Sequence, residues 1–193
     1  MDLAELASSA WREVAAWLAA YAPETLAGVR PAASEADLAA VEAALGVPLS
    51  PDMTALWRAT SGLPAPSSLP TPLIPACYHL LSPQEALASW QLGNQLVRSG
   101  ASRTPRELET AIASQCRLPA GSPGSTWLPA WLPIAEDRSG NGLFLDLRPG
   151  PARGCVRRYS VGYWPESSAP AWPGVAVMLT AIAGSLAVPV PAT

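Results

Sequence analysis

The segment from Asp137 to Gly142 reads Asp-Arg-Ser-Gly-Asn-Gly and contains residue types that could bind a metal ion. Oxygen-bearing side chains at alternate positions, followed by glycine, are typical of the start of a calcium-binding loop. Such a loop requires a bidentate glutamate at its twelfth position, where this chain has Arg148, and its flanking elements are helices. Asn141-Gly142 favours a tight turn between two strands, since both residues tolerate positive φ. We therefore interpret the segment as a hairpin turn and predict no metal site.

Three carboxylates, Glu136, Asp137 and Asp146, occur close together around this hairpin. Paired carboxylates can act as a general acid and a general base, as in hydrolases. A hydrolase built on these groups would bring them together in one deep pocket, with at least one of them removed from water. We favour the alternative, a solvated turn in which Asp146 forms local hydrogen bonds.

The chain lacks most of the groups that common catalytic designs need. His79 is its only histidine, and no Gly-x-Ser-x-Gly nucleophile motif accompanies it. All 12 basic residues are arginine, so neither a phosphate-loop lysine nor a Schiff-base lysine is possible. Cys77, Cys116 and Cys155 are too scattered for a zinc site. We predict that the protein is not an enzyme and uses no cofactor.

Composition narrows the class of protein and of partner. With 193 residues, 49% of them hydrophobic and 14% charged, the chain can bury a core, and we expect a single domain over residues 1–193. The net charge of −3 argues against binding to nucleic acid or to an anionic membrane. The longest apolar stretch, Val175 to Val188, is too short to cross a bilayer. An odd number of cysteines and an acidic start without a secretory signal predict a cytoplasmic location.

Helical patterns come first along the chain, strand patterns follow, and a helix closes the order. Apolar spacing and capping signals predict helices over residues 2–21, from Ser34 to Leu45, from Ser50 to Gly62, from Ser82, from Thr104 and from Val175 to Leu186. Alternation predicts strands over 76–81, 127–135, 143–147 and 155–161, the second at an edge or bulged because of its prolines, the third half-buried. This order predicts an α+β fold in which helices pack against an antiparallel or mixed sheet.

Eight tryptophans are unusual for this length. Those on helical stripes are expected in the core. Four others lie in or beside proline-rich segments: Trp127, Trp131, Trp164 and Trp172. Core packing is our first interpretation of these four, and the alternative is an exposed anchor for a protein partner.

Two blocks of sequence resemble the SUKH superfamily, which includes the Smi/Knr-type yeast cell-wall regulator and many bacterial immunity proteins. The first block comprises Pro31-Ala32-Ala33-Ser34-Glu35-Ala36-Asp37-Leu38, Val41-Glu42, Leu45-Gly46, Pro48-Leu49, Pro51-Asp52, Leu56-Trp57 and Gly62. The second comprises Trp131-Leu132-Pro133-Ile134-Ala135, Asp137, Gly140-Asn141, Leu143, Leu145-Asp146, Pro149-Gly150 and Gly154-Cys155-Val156. The likeness covers about residues 11–187, and the chain departs from the family pattern at Ser50 and Arg138.

The resemblance implies a non-catalytic domain that binds another protein. For bacterial members it implies neutralisation of a polymorphic toxin by direct binding, and for other members a regulatory or scaffold role. We predict partner contacts at the exposed rim of the sheet: Glu136, Asp137, Asp146, Arg157 and Trp164. The acidic side chains would attract a basic toxin domain and the tryptophan would anchor it.

Overall fold

The computed structural model describes residues 2–63, 78–100, 104–137, 139–160, 162, 164–165 and 169–186, with only the backbone of Trp164. These residues form seven helices and five strands. The helices are α1 (Leu3–Tyr21), α2 (Pro23–Ala27), α3 (Glu35–Leu45), α4 (Pro51–Ala59), α5 (Pro83–Ser99), α6 (Pro105–Cys116) and α7 (Val175–Leu186). The strands are β1 (His79–Leu80), β2 (Trp131–Glu136), β3 (Gly142–Asp146), β4 (Cys155–Ser160) and β5 (Trp164–Pro165).

The five strands form one antiparallel sheet in chain order, which confirms the α+β prediction. Consecutive antiparallel strands need only short connections, so the chain passes from β2 to β3 through the predicted hairpin turn. The register of β2 against β3 shifts between Pro133 and Ala135, which confirms the predicted bulge. Proline cannot donate a ladder hydrogen bond, and the bulge accommodates it. Ala76 and Cys77 of the first predicted strand lie outside the described residues.

One face of the sheet is covered by a large apolar core in which α1 packs against α4 and α7. The apolar stripe of α1 is buried there, and Leu56 and Trp57 of α4 are fully buried. Trp57 donates its indole N–H to the carbonyl oxygen of Leu81 at 3.0 Å, which joins α4 to the end of β1. The buried Asp52 accepts the backbone N–H of Ala176 at 3.0 Å and so satisfies a free amide in the first turn of α7.

The opposite face is covered by a smaller, aromatic cluster: Trp127, Leu128, Trp131, Phe144 and Tyr159. Val97 of α5 and Ile112 and Cys116 of α6 pack against it. Every residue of β3 is therefore buried, whereas the sequence pattern predicted a half-buried strand. The burial of Trp127 and Trp131 agrees with core packing, the first interpretation of these side chains.

Local signals placed most helix starts well. The capping boxes at Ser34, Ser82 and Thr104 are complete, each with its reciprocal side-chain bond. At α4, Ser50 occupies the N-cap position with Pro51 first in the helix, as predicted, but its hydroxyl donates to Asp52 Oδ1 at 2.6 Å and accepts no backbone N–H. That helix also ends at Ala59, before the predicted Gly62. The short α2 and β5 were not predicted.

Candidate functional site

The hairpin turn after β2 is organised by Asp137. Its Oδ1 accepts the backbone N–H groups of Ser139 at 2.7 Å and Asn141 at 2.8 Å, and its Oδ2 accepts the Asn141 side-chain amide at 2.8 Å. Gly140 takes a φ of 83°, which favours glycine at this point. The sequence predicted positive φ at Asn141-Gly142, but Gly142 is the first residue of β3 and does not have a positive φ. Burial opposes ionisation of Asp137, but the hydrogen bonds outweigh it and hold its pKa below the ordinary value. This carboxylate is committed to the turn.

Glu136, at the end of β2, connects α5 to the sheet. Its Oε1 accepts the hydroxyl of Tyr159 at 2.8 Å and, in a short contact, the hydroxyl of Ser89. The side chain is half-buried. Glu136 therefore reaches the surface only in part.

Asp146 was predicted to contact a partner at the sheet rim, but the structure buries it completely. Its Oδ2 lies 2.7 Å from an Nη of the equally buried Arg148, and it also accepts the backbone N–H of Gly121 at 2.9 Å. Arg148 lies over the Trp131 ring, 5.3 Å from its centroid. The expectation of exposure fails because a loop from more than twenty residues earlier in the chain covers the pair.

Arg157 was also predicted at the rim and is also buried. Its guanidinium donates to the carbonyl oxygens of Gly121 and Ser122 at 2.9 and 2.5 Å. Arg148 donates to Ser122 at 2.6 Å and to the carbonyl oxygen of Gln115, near the end of α6, at 3.1 Å. The two arginines and Asp146 thus anchor the 117–124 loop and the end of α6 to the sheet.

The three carboxylates do not converge. Glu136 pairs with Gly142 at one end of β3 and Trp131 pairs with Asp146 at the other, so the strand register places Glu136 and Asp146 about 13 Å apart along the strand. In the described part of the chain, no three histidine, cysteine or acidic side chains come together as metal ligands. The geometry contradicts a hydrolase site built on these groups. Trp164, the fifth predicted contact residue, lies in β5, where its backbone pairs with Ser160 of β4. Its side chain lies outside the described structure.

A groove between α5 and α6 is the feature that sequence reasoning missed. One half has a volume of about 530 Å³, lies along α5 and is lined by Trp90, Gln91, Asn94, Gln95, Arg98, Ser99 and Pro129. The other half has a volume of about 400 Å³, lies along α6 and is lined by Arg98, Pro105, Leu108, Glu109, Ile112, Ala113 and Pro129. Arg98 and Pro129 line both halves, so the two depressions adjoin at these residues.

The two walls of the groove are held differently. On the α5 side, Trp90 donates its indole N–H to the Pro129 carbonyl oxygen at 2.9 Å, and α5 packs along β2. On the α6 side, Leu108 is the only fully buried residue of the helix, and α6 makes no extensive backbone contact with another described helix or strand. From the successive capping boxes at Ser82 and Thr104 one could have predicted two consecutive helices, but not the groove between them.

The sequence model of the SMI1/KNR4 family (SUKH-1) matches residues 32–181. The chain belongs to this family. The match includes β1–β5, α3–α6, both groove walls and all five predicted contact residues. It begins after α1 and α2, so the SMI1/KNR4 match excludes the helix that packs on α4 and α7.

A comparison with curated proteins finds no match to the chain. A search of the described helices for one long and apolar enough to span a membrane finds none.

Proposed function

We propose that this chain is a single, non-catalytic protein-binding domain that acts in the cytoplasm as an immunity protein and neutralises a polymorphic toxin by direct binding. Membership of the SMI1/KNR4 family over residues 32–181 carries this proposal. The family is associated with immunity and regulatory domains, and its implied mode of action is binding. Of these two roles, immunity by toxin neutralisation is the one that we test first.

The site geometry supports binding over catalysis. The carboxylates that could have served a hydrolase hold a turn, a helix contact and a buried ion pair. We propose two surfaces for a partner. One is the hairpin rim at Glu136, Asp137 and Trp164, where acidic side chains would attract a basic toxin domain. The other is the α5–α6 groove.

Coexpression with the product of the neighbouring gene tests the proposal. The gene product is induced in bacteria with and without this chain, and both growth and copurification are measured. We expect the gene product to stop growth alone, and this chain to restore growth and to form a complex with it. A catalytically inactivated form of the gene product provides enough material for the binding measurement.

A destabilised variant gives the matched control. Leu56→Ala opens a cavity in the buried core and should reduce protection in proportion to the loss of folded protein. Toxicity that persists beside folded wild-type protein, together with no complex, would contradict the immunity proposal. A complex without toxicity would favour the regulatory or scaffold role.

A further inference from the structure

The α5–α6 groove has a positive charge at its centre. Arg98 lines both halves and is exposed to solvent. The ion pairs among the described residues involve other arginines, so no described carboxylate lies within ion-pair distance of the Arg98 guanidinium. Water solvates this charge in the free protein.

Apolar side chains flank the charge on both sides. Trp90 and Pro129 line the α5 half, and Leu108 and Ile112 line the α6 half. A protein segment that fills both halves must pass over Arg98 and displace its water. Covering a guanidinium without supplying an acceptor is unfavourable, whereas a carboxylate can accept two parallel N–H bonds from it.

We propose that this groove binds a segment of a partner protein in which a carboxylate is flanked on both sides by apolar residues. The carboxylate pairs with Arg98, and the apolar residues enter the two halves. Glu109 lines only the α6 half and places a negative charge on that wall, so the acid of the segment points toward α5. This inference rests on the proposed protein-binding function and adds the surface and the chemistry of the partner.

A displayed library of random peptides tests the groove without the natural partner. The library is selected on the wild-type chain, and the enriched peptides are synthesised and titrated. We expect enriched sequences with Asp or Glu between apolar residues. We also expect Arg98→Glu to weaken their binding by roughly tenfold or more, the loss typical when a desolvated charge pair is broken.

Arg12→Glu is the matched control, because it changes the net charge equally at a site far from the groove. Arg12 lies on the exposed side of α1, a helix that packs on the opposite face of the sheet. A second pair tests shape: Ala113→Trp fills the α6 half, whereas Ala19→Trp places the same bulk on exposed α1. We expect Ala113→Trp to reduce affinity by roughly tenfold and both α1 variants to match wild type. Circular dichroism and thermal melting confirm that each variant folds.

Three outcomes would overturn the inference: no enrichment, enriched peptides without an acid, or equal losses for Arg98→Glu and Arg12→Glu. Its failure can be separated from failure of the proposed function. If the neighbouring gene product binds wild type and Arg98→Glu equally, the proposed binding function stands and the groove inference fails. If the gene product does not bind but peptides still select the groove, the groove inference stands and the proposed function fails.

Discussion

The two faces of the sheet differ in the side chains that cover them and in the interactions that these side chains make. On the face covered by α1, α4 and α7, mostly aliphatic side chains, with Trp11 and Trp57 among them, and whole helices pack into a continuous core. On the other face, aromatic rings and three buried charged groups support a loop and the lightly attached α6. The first arrangement stabilises by burying area, which does not depend on orientation. The second depends on directed hydrogen bonds, so it positions a loop and a helix.

The largest effect should come from the charged cluster. Arg148→Ala leaves Asp146 buried without its ion-pair partner, removes the donor to Gln115 and leaves Arg157 as the remaining arginine donor to Ser122, so we expect a loss of about 3–5 kcal/mol in the free energy of unfolding. Urea denaturation measures it, with the exposed Arg106→Ala as the control. A loss near that of the control would show that the directed contacts contribute little. The double variant Asp146→Ala/Arg148→Ala should lose less than the sum of the single variants.

The next prediction compares one apolar residue from each face. Leu56→Ala, in the aliphatic core, should cost about 2–5 kcal/mol. Ile112→Ala, half-buried on α6, should cost about 1 kcal/mol, because the site collapses more easily and α6 has few contacts to lose. Urea denaturation of both variants gives the two values. Equal losses would mean that α6 is as integral to the fold as α4.

The hairpin turn gives a smaller, pH-dependent effect. Asp137→Ala removes three hydrogen bonds to a carboxylate, and we expect a loss of about 1 kcal/mol at pH 7. Because folding lowers the pKa of Asp137, its stabilising effect is complete above the unfolded pKa and disappears as the pH falls through the folded pKa. Wild type and variant should therefore converge in acid. Asp137→Asn, which keeps an acceptor oxygen, serves as the control.

Thiol reactivity should compare α6 with the strand beneath it, because Cys116 on α6 and Cys155 on β4 lie on the same aromatic face of the sheet. Burial, with Asp146 nearby, raises the pKa of Cys155 to about 11, and burial also raises the pKa of Cys116 on α6. At pH 8 we expect both to react slowly with iodoacetamide, and Cys116 faster, because it is less buried and its helix opens more readily. Mass spectrometry of a Cys77→Ser variant measures the two rates. A faster Cys155 would contradict the idea that α6 is the looser region.

Helix starts were predictable because their signals are local. A capping box needs only residues three positions apart, and those at Ser34, Ser82 and Thr104 formed as predicted. The position of the hairpin turn was predictable for the same reason, since the donors to Asp137 lie within four residues of it, although the positive φ falls at Gly140 and not at the predicted Gly142. At this range, sequence and geometry are closely linked.

The candidate site was harder to predict, because its environment comes from distant segments. Asp146 and Arg157 are charged and follow strand patterns, which favours exposure, yet Gly121 and Ser122 from another part of the chain cover them. The groove depends on the separation of two helices and on the position of Pro129, and no short motif encodes either. Whether a charged strand residue is buried or exposed depends on tertiary packing against distant segments.

The light attachment of α6 has a consequence for how the protein can evolve. The helix is held near Gln115 by Arg148, and most of its residues face solvent. Substitutions at its exposed groove-lining positions, Glu109 and Ala113, change the shape and charge of the groove and leave the core on the other face unchanged. Selection for a new partner can therefore act on positions that folding does not constrain, so specificity can diverge while the scaffold is inherited intact.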